Sequence, residues 1–296
     1  MASKKLNDRV FQTFIHIILL MLALAALLPF ILLFTSSFTD EGTLLVDGYS
    51  FFPKKWSLGA YTYVFRTNGE NVFRAYAVTL FITVIGTSLS LLIAPMLGYA
   101  ISRRDYRRRG VVSFLIFFTM LFNGGLVASY MMWSQLFQIK NTIFALIFPN
   151  LLFNGFSIML MRSYFSINIH PAMIEAAKID GAGEFRIYFS IVVPLSLPIM
   201  ATIGLMVGIG YWNDWTNGLY YLTDPKLFSL QNLLNRILTN AKFLASISNE
   251  ANVQVDLPTI GVRMAMAVIG VIPVMVLYPF FQRFFIKGIT LGGVKE

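Results

Sequence analysis

Six stretches of the chain, at about 14–34, 75–101, 111–137, 143–161, 191–211 and 258–281, are apolar runs almost free of charge. Each is long enough to cross a bilayer's hydrocarbon layer as a helix, which takes roughly 20 apolar residues. The composition agrees: 57% of the 296 residues are hydrophobic and 12% are charged, where a soluble domain carries about a quarter charged residues. Backbone groups in lipid must bond to one another, and within a single apolar segment a helix does this. The expectation is an all-α membrane protein with six transmembrane helices, forming one domain over residues 1–296.

Lys and Arg set the orientation. Fourteen of the 23 fall in the segments that share a side with the N-terminus, and they lie closer to span ends than the other nine. The positive-inside rule then places both termini in the cytoplasm. The strongest determinant is Arg103-Arg104-Asp105-Tyr106-Arg107-Arg108-Arg109, read as a topology anchor at lipid headgroups. The net charge of +9 is accounted for in the same way, without nucleic acid. Cysteine is absent, and His16 and His170 are far apart, so no metal site is expected. No convergent acid–base cluster appears at either membrane face, so no catalytic residue is expected. Three segments remain large enough to act: 35–74 and 212–257 outside, and 162–190 inside.

The second to fifth runs contain no Asp, Glu, Lys or Arg. An ion-coupled carrier stores its coupling chemistry on such residues, so this alternative lacks its parts. Nor is there a Gly-x-x-x-x-Gly-Lys-Ser/Thr phosphate-binding loop, so the chain does not hydrolyse ATP itself. The driving force must enter from a partner, and the inner loop is the place for it. There, Pro171 suits the first turn of a helix, 172–179 is good helix material, and Asp180-Gly181 ends it. A second short helix from about 183 to 189 leads to Pro194. Glu175 and Asp180 offer charge to a basic partner, and the small Ala176, Ala177, Gly181 and Ala182 would let a foreign backbone approach closely.

This loop resembles the EAA loop of binding-protein-dependent ABC importer permeases: Glu-Ala-Ala, three residues, Gly, nine residues, then Ile-x-Leu-Pro. Glu175, Ala176, Ala177, Gly181, Ile191 and Pro194 are in register, and Val193 stands where leucine is commonest. The resemblance implies a coupling helix between the fourth and fifth spans, seated in a cleft of a cytoplasmic ATPase. It implies further partners: a second permease subunit in a heterodimer, two ATPase subunits that hold ATP and Mg, and an extracytoplasmic solute-binding protein. The chain itself would bind no cofactor. The location implied is the bacterial cytoplasmic (inner) membrane. The C-terminal segment around Gly292, Gly293, Val294 and Lys295 resembles the ATPase-contacting tail of maltose-permease-like subunits.

Within the carbohydrate importers, 122–130, 211–222 and 277–283 resemble the branch that handles polysaccharide fragments, including pectin- and alginate-derived uronates. Alginate or a related uronate chain is the cargo this implies; a non-carbohydrate cargo is the alternative. Asn123 and Gly124 interrupt an apolar run, which suits either a pore lining or close helix packing. Asn150, Asn154 and Ser157 fall on one stripe of a continuous fourth helix, a polar path or an inter-subunit contact. Trp212, Trp215, Tyr220 and Tyr221 read as an interfacial aromatic belt.

Overall fold

Apolar runs with helical propensity and Pro or Gly at their breaks give helices throughout. The computed structural model describes residues 2–149, 152–250 and 259–293. In chain order they form α1 (Ala2–Ser37), α2 (Glu41–Asp47), α3 (Gly59–Ser102), α4 (Arg109–Leu121) and α5 (Gly125–Met131), which continues as a π turn. Then follow α6 (Phe144–Ile147), α7 (Gly155–Asn168), α8 (Pro171–Ile179), α9 (Glu184–Ile187), α10 (Val193–Leu195) and α11 (Leu197–Asn213). The last three are α12 (Thr216–Tyr221), α13 (Leu230–Glu250) and α14 (Thr259–Gly293). No strand is present among the described residues, apart from an isolated antiparallel bridge between Thr39 and Trp56.

Two described helices are long and apolar enough to cross a membrane, Phe11–Ser37 and Gly69–Ser102, with mean hydropathies of 3.1 and 2.2. Two bent pairs raise the number to four if each is one span. Arg109–Leu121 meets Gly125–Leu136 at 115°, and Glu184–Leu195 meets Leu197–Asn213 at 79°. Three of the expected spans are therefore not single helices. The run 111–137 breaks at Asn123, whose Oδ1 accepts the Gly125 N–H at 2.9 Å while Gly125 takes a φ of +81°. The run 143–161 breaks because Pro149 has no N–H to continue α6, and a new helix starts after Asn154. The run 191–211 breaks at Ser196, between Pro194 and Pro198.

The described residues divide into two units. The first comprises Met1–Glu70 and Arg236–Ile272. The segment between α1 and α3 is tied by Asp40 N–H to Lys55 O (3.1 Å), Ser57 N–H to Phe38 O (2.7 Å) and the Ser37–Tyr61 hydroxyl pair (2.9 Å). Leu44, Ala60 and Val64 are buried in this unit, as are Val262, Ala265 and Met266. The Glu41 carboxylate accepts the N–H groups of Ile260 and Gly261 at 2.9 and 2.8 Å, satisfying two orphan donors at the start of α14. A Cβ on Gly261 would lie 2.9 Å from Glu41 Oε2, so this approach needs the missing side chain. Glu41→Ala is expected to destabilise the protein by about 1–2 kcal/mol, as loss of an N-cap does, with Glu41→Gln milder. Thermal unfolding in detergent measures the difference.

The second unit, Asn71–Asn235 with Pro273–Glu296, is built around α3. A buried cluster joins Tyr99 of α3, Met161 and Phe165 of α7, Ile174 and Ala177 of α8, Ile187 of α9, and Ile203 and Tyr211 of α11. Gly98 lets α3 approach α7 closely, and Gly86 makes room for the Tyr211 ring. Tyr211 is fixed in turn by its hydroxyl, which donates to Ile147 O at 2.9 Å. The segment after α7 is thus held on the core by named apolar side chains.

Candidate functional site

Helix α8 begins as its sequence dictates. His170 is extended and Pro171 occupies the first turn, where a missing N–H is no loss. At the other end, Gly181 N–H bonds Lys178 O at 3.0 Å and Ala182 N–H bonds Ala177 O at 2.9 Å, with Gly181 at a φ of +76°. That pair of bonds closes the helix in a Schellman turn, whose left-handed position favours glycine. Ile174 and Ala177, three residues apart, are buried against the core. Met173, Glu175, Ala176, Ile179, Asp180 and Gly181 are exposed, Ile179 to 86%. Ala177 therefore does not offer its small side chain to a partner: the periodicity of the helix turns it inward with Ile174. The outward surface consists of Glu175, Ala176, Asp180 and Gly181, flanked by Met173 and Ile179.

A charge cluster that the sequence did not announce lies beside this surface. Arg103, just past the end of α3, has a side chain only 13% exposed. Its guanidinium donates to both Asp105 oxygens, from Nε at 2.8 Å to Oδ1 and from Nη2 to Oδ2, and from Nη1 to the Tyr99 hydroxyl at 2.8 Å. Nη1 also reaches Glu184 Oε2 at 3.2 Å. Lys178, in the last turn of α8, donates to Glu184 Oε1 at 2.9 Å and stands 3.6 Å from Asp105. The Asp105 hydrogen bond holds the Arg103 pKa above its ordinary value, and Arg103 pulls the Asp105 carboxyl down to about 2. Glu184 raises the Lys178 pKa through its hydrogen bond. Arg103 is accordingly an internal tie and not a headgroup contact; Arg104, Arg107, Arg108 and Arg109 remain exposed. The cluster rims a cavity of about 380 Å³ lined by Met96, Tyr99, Tyr106, Phe185 and Tyr188. Glu184 lies 81 residues from Arg103, so no local spacing could have linked them.

The residues expected along a path separate. Asn123 and Gly124 sit at the exposed break between α4 and α5. Asn154 and Ser157 are not one stripe of a continuous helix: Asn154 caps α7, accepting the Ser157 N–H at 3.1 Å, and Ser157 is buried. Asn150, Val294 and Lys295 lie outside the described residues, while Gly292 and Gly293 are the last helical residues of α14. The aromatic belt is half corrected: Trp215 and Tyr220 are exposed, but Trp212 and Tyr221 are buried. Tyr221 stacks on Tyr130 with centroids 5.7 Å apart. Beside it, Asn141 accepts the N–H groups of Thr223 (2.6 Å) and Asp224 (3.2 Å), knotting the 138–142 hairpin to the chain after α12. Asp214 accepts from the Thr216 and Asn217 N–H groups at 3.1 and 3.2 Å, and burial pushes its carboxyl above the usual range against those bonds.

Residues 94–291 match the family described as binding-protein-dependent transport system inner membrane component. The chain is similar to the polygalacturonan/rhamnogalacturonan transport system permease protein YtcP of Bacillus subtilis: 36% identical over 98% of this chain and all of the relative. It is 27% identical to the arabinooligosaccharides transport system permease protein AraQ of Halalkalibacterium halodurans, over 93% of both chains. Among solved structures it resembles a bacterial ABC transporter involved in the import of the acidic polysaccharide alginate. That likeness has a TM-score of 0.76 at 30% identity and covers 94% of this chain and 98% of the other.

Proposed function

We infer the function from membership: the chain belongs to the family of binding-protein-dependent transport system inner membrane components. It is a multi-pass permease subunit of an ABC importer in the inner membrane and not an enzyme. Beyond this, we propose that it forms half of a translocation path for uronate oligosaccharides, with six spans and both termini cytoplasmic. The relative named for polygalacturonan and the solved alginate importer support that cargo class, since both polymers are chains of sugar acids. A second permease subunit, two ATPases holding ATP and Mg, and an external binding protein complete the machine.

The observation that carries this reading is the two-sided build of α8. Ile174 and Ala177 anchor it to the permease core, while Glu175, Ala176, Asp180 and Gly181 are exposed at and before the glycine turn. ATP-driven closure of the ATPases would move the α8 segments of the two permeases and rock them between inward- and outward-facing states. Gly292 and Gly293 at the end of α14 would lie near the ATPases, and Asn123, Gly124 and Asn154, exposed at helix breaks, are the candidates to line the path.

Reconstitution of the full complex in liposomes tests the reading. The binding protein is loaded in turn with oligogalacturonate, oligoalginate, maltotriose or an amino acid. Uronate-loaded protein is expected to stimulate ATP hydrolysis and uptake. Stimulation by the amino acid alone would replace the cargo assignment, and uptake by the permeases without ATPases would overturn the coupling.

A further inference from the structure

Three helix ends meet at one balanced charge cluster. Arg103 follows the last residue of α3, Lys178 lies in the last turn of α8, and Glu184 is the first residue of α9. Glu184 bonds both cations, at 3.2 and 2.9 Å, and Asp105 faces both from the other side. With two cations and two carboxylates the cluster leaves no charge over to recruit an outside ion. Its bonds run between parts of this chain.

What those bonds restrain follows from the segment they cross. Between α8 and α9 the chain passes through Asp180-Gly181-Ala182-Gly183, where Gly181 has no Cβ and open space around it. Such a turn would flex if left unbraced. Apolar contacts of Ile174 and Ala177 hold α8 to the core, but they are non-directional and allow sliding. The fork onto Asp105 fixes the angle of the Arg103 guanidinium. That group then reaches α9 through the single Nη1–Glu184 contact, while Lys178 joins Glu184 to Asp105 across the turn. The Arg103 side chain is mostly withdrawn from water, so its charge depends on Asp105 and Glu184, whose own outer faces stay solvated.

We propose that Arg103 and Glu184 are positioning residues that make the α8–α9 segment and α3 one rigid moving part, so that displacement of α8 carries α3 with it. This rests on the coupling role given to α8 above, and it adds the element inside the permease that receives the motion. Through Tyr99, whose hydroxyl takes a bond from Arg103 and whose ring packs on Phe165 and Tyr188, the tie extends into α7 and the turn before α10.

The chain contains no cysteine, so labels can be placed at will. Spin labels on Leu80→Cys of α3 and Ile179→Cys of α8, both exposed positions, report their separation within the assembled complex, with cysteines of the partner subunits removed. With the cluster intact, one distance distribution is expected in both the nucleotide-free and the ATP–vanadate-trapped complex. In Glu184→Gln, and again in Arg103→Gln, the distribution is expected to shift or split between those two states. Glu184 is largely exposed, so its variant is the one expected to fold normally. A nucleotide-dependent shift in the intact protein, or variants that match it in both states, would overturn the rigid-part assignment. The coupling role is judged by a separate measurement: failure of Ile179→Cys, carrying a photoactivatable maleimide, to cross-link to the ATPase overturns that role, whatever the spectra show.

Discussion

Glu175→Lys is expected to leave the protein inserted and folded while cutting its association with the ATPase by at least about thirtyfold, equivalent to ~2 kcal/mol, the low end for breaking a charged interface pair. Glu175 is exposed on α8, and the residues that hold the helix in place, Ile174 and Ala177, point the other way. Glu and Lys have nearly equal helix propensity, so α8 itself should persist. An exposed substitution of this kind changes stability by no more than about 0.5 kcal/mol. The fold is therefore expected to survive and the interface to fail, because the basic partner proposed for Glu175 would meet a second positive charge. Pull-down of the ATPase in detergent and uptake in proteoliposomes read the effect. Uptake at the unsubstituted rate would remove Glu175 from the coupling surface.

Gly98→Leu is expected to act in the opposite way, damaging the fold before any interface. A Cβ at Gly98 would stand 2.8 Å from Met161 Cβ and 3.2 Å from both Arg162 N and Ile158 O. Two of these neighbours are backbone atoms of α7, which cannot rotate aside, so α3 and α7 must separate. Overpacking a tight contact costs about 1–3 kcal/mol, and here it also shifts Tyr99, one residue along, from its place beneath Arg103. The apparent melting temperature should fall by about 5 °C or more. Gly110→Leu, at a glycine with nothing within 4 Å, is the control and should change little. Equal melting of the two variants would mean that α3 and α7 are not packed as described.

Two features of the sequence were legible for different reasons. The membrane class followed from hydropathy alone, since 57% hydrophobic residues in long runs have no other solvent than lipid and protein. The α8 segment followed from local chemistry: Pro171 starts it and Gly181 ends it, and the bonds that close it join residues no more than five apart. The break at 123–125 was signalled by Asn-Gly-Gly, though the signal gave no angle. The break near Pro149 leaves no mark in hydropathy, because the apolar run continues through it and hydropathy is blind to a missing N–H.

Sequence alone was sufficient for which segments are apolar, how α8 starts and stops, and which motif it carries, where the cause acts within about one helical turn. Folding in three dimensions settled the rest. It turned Ala177 inward, buried Trp212 and Tyr221, brought Glu41 to the start of α14 across 219 residues, and closed Arg103 onto Glu184 across 81. Those outcomes depend on which surfaces meet once the helices pack. A charged or small side chain carries no mark of its distant neighbour, so the pairing exists only when the neighbour is in place.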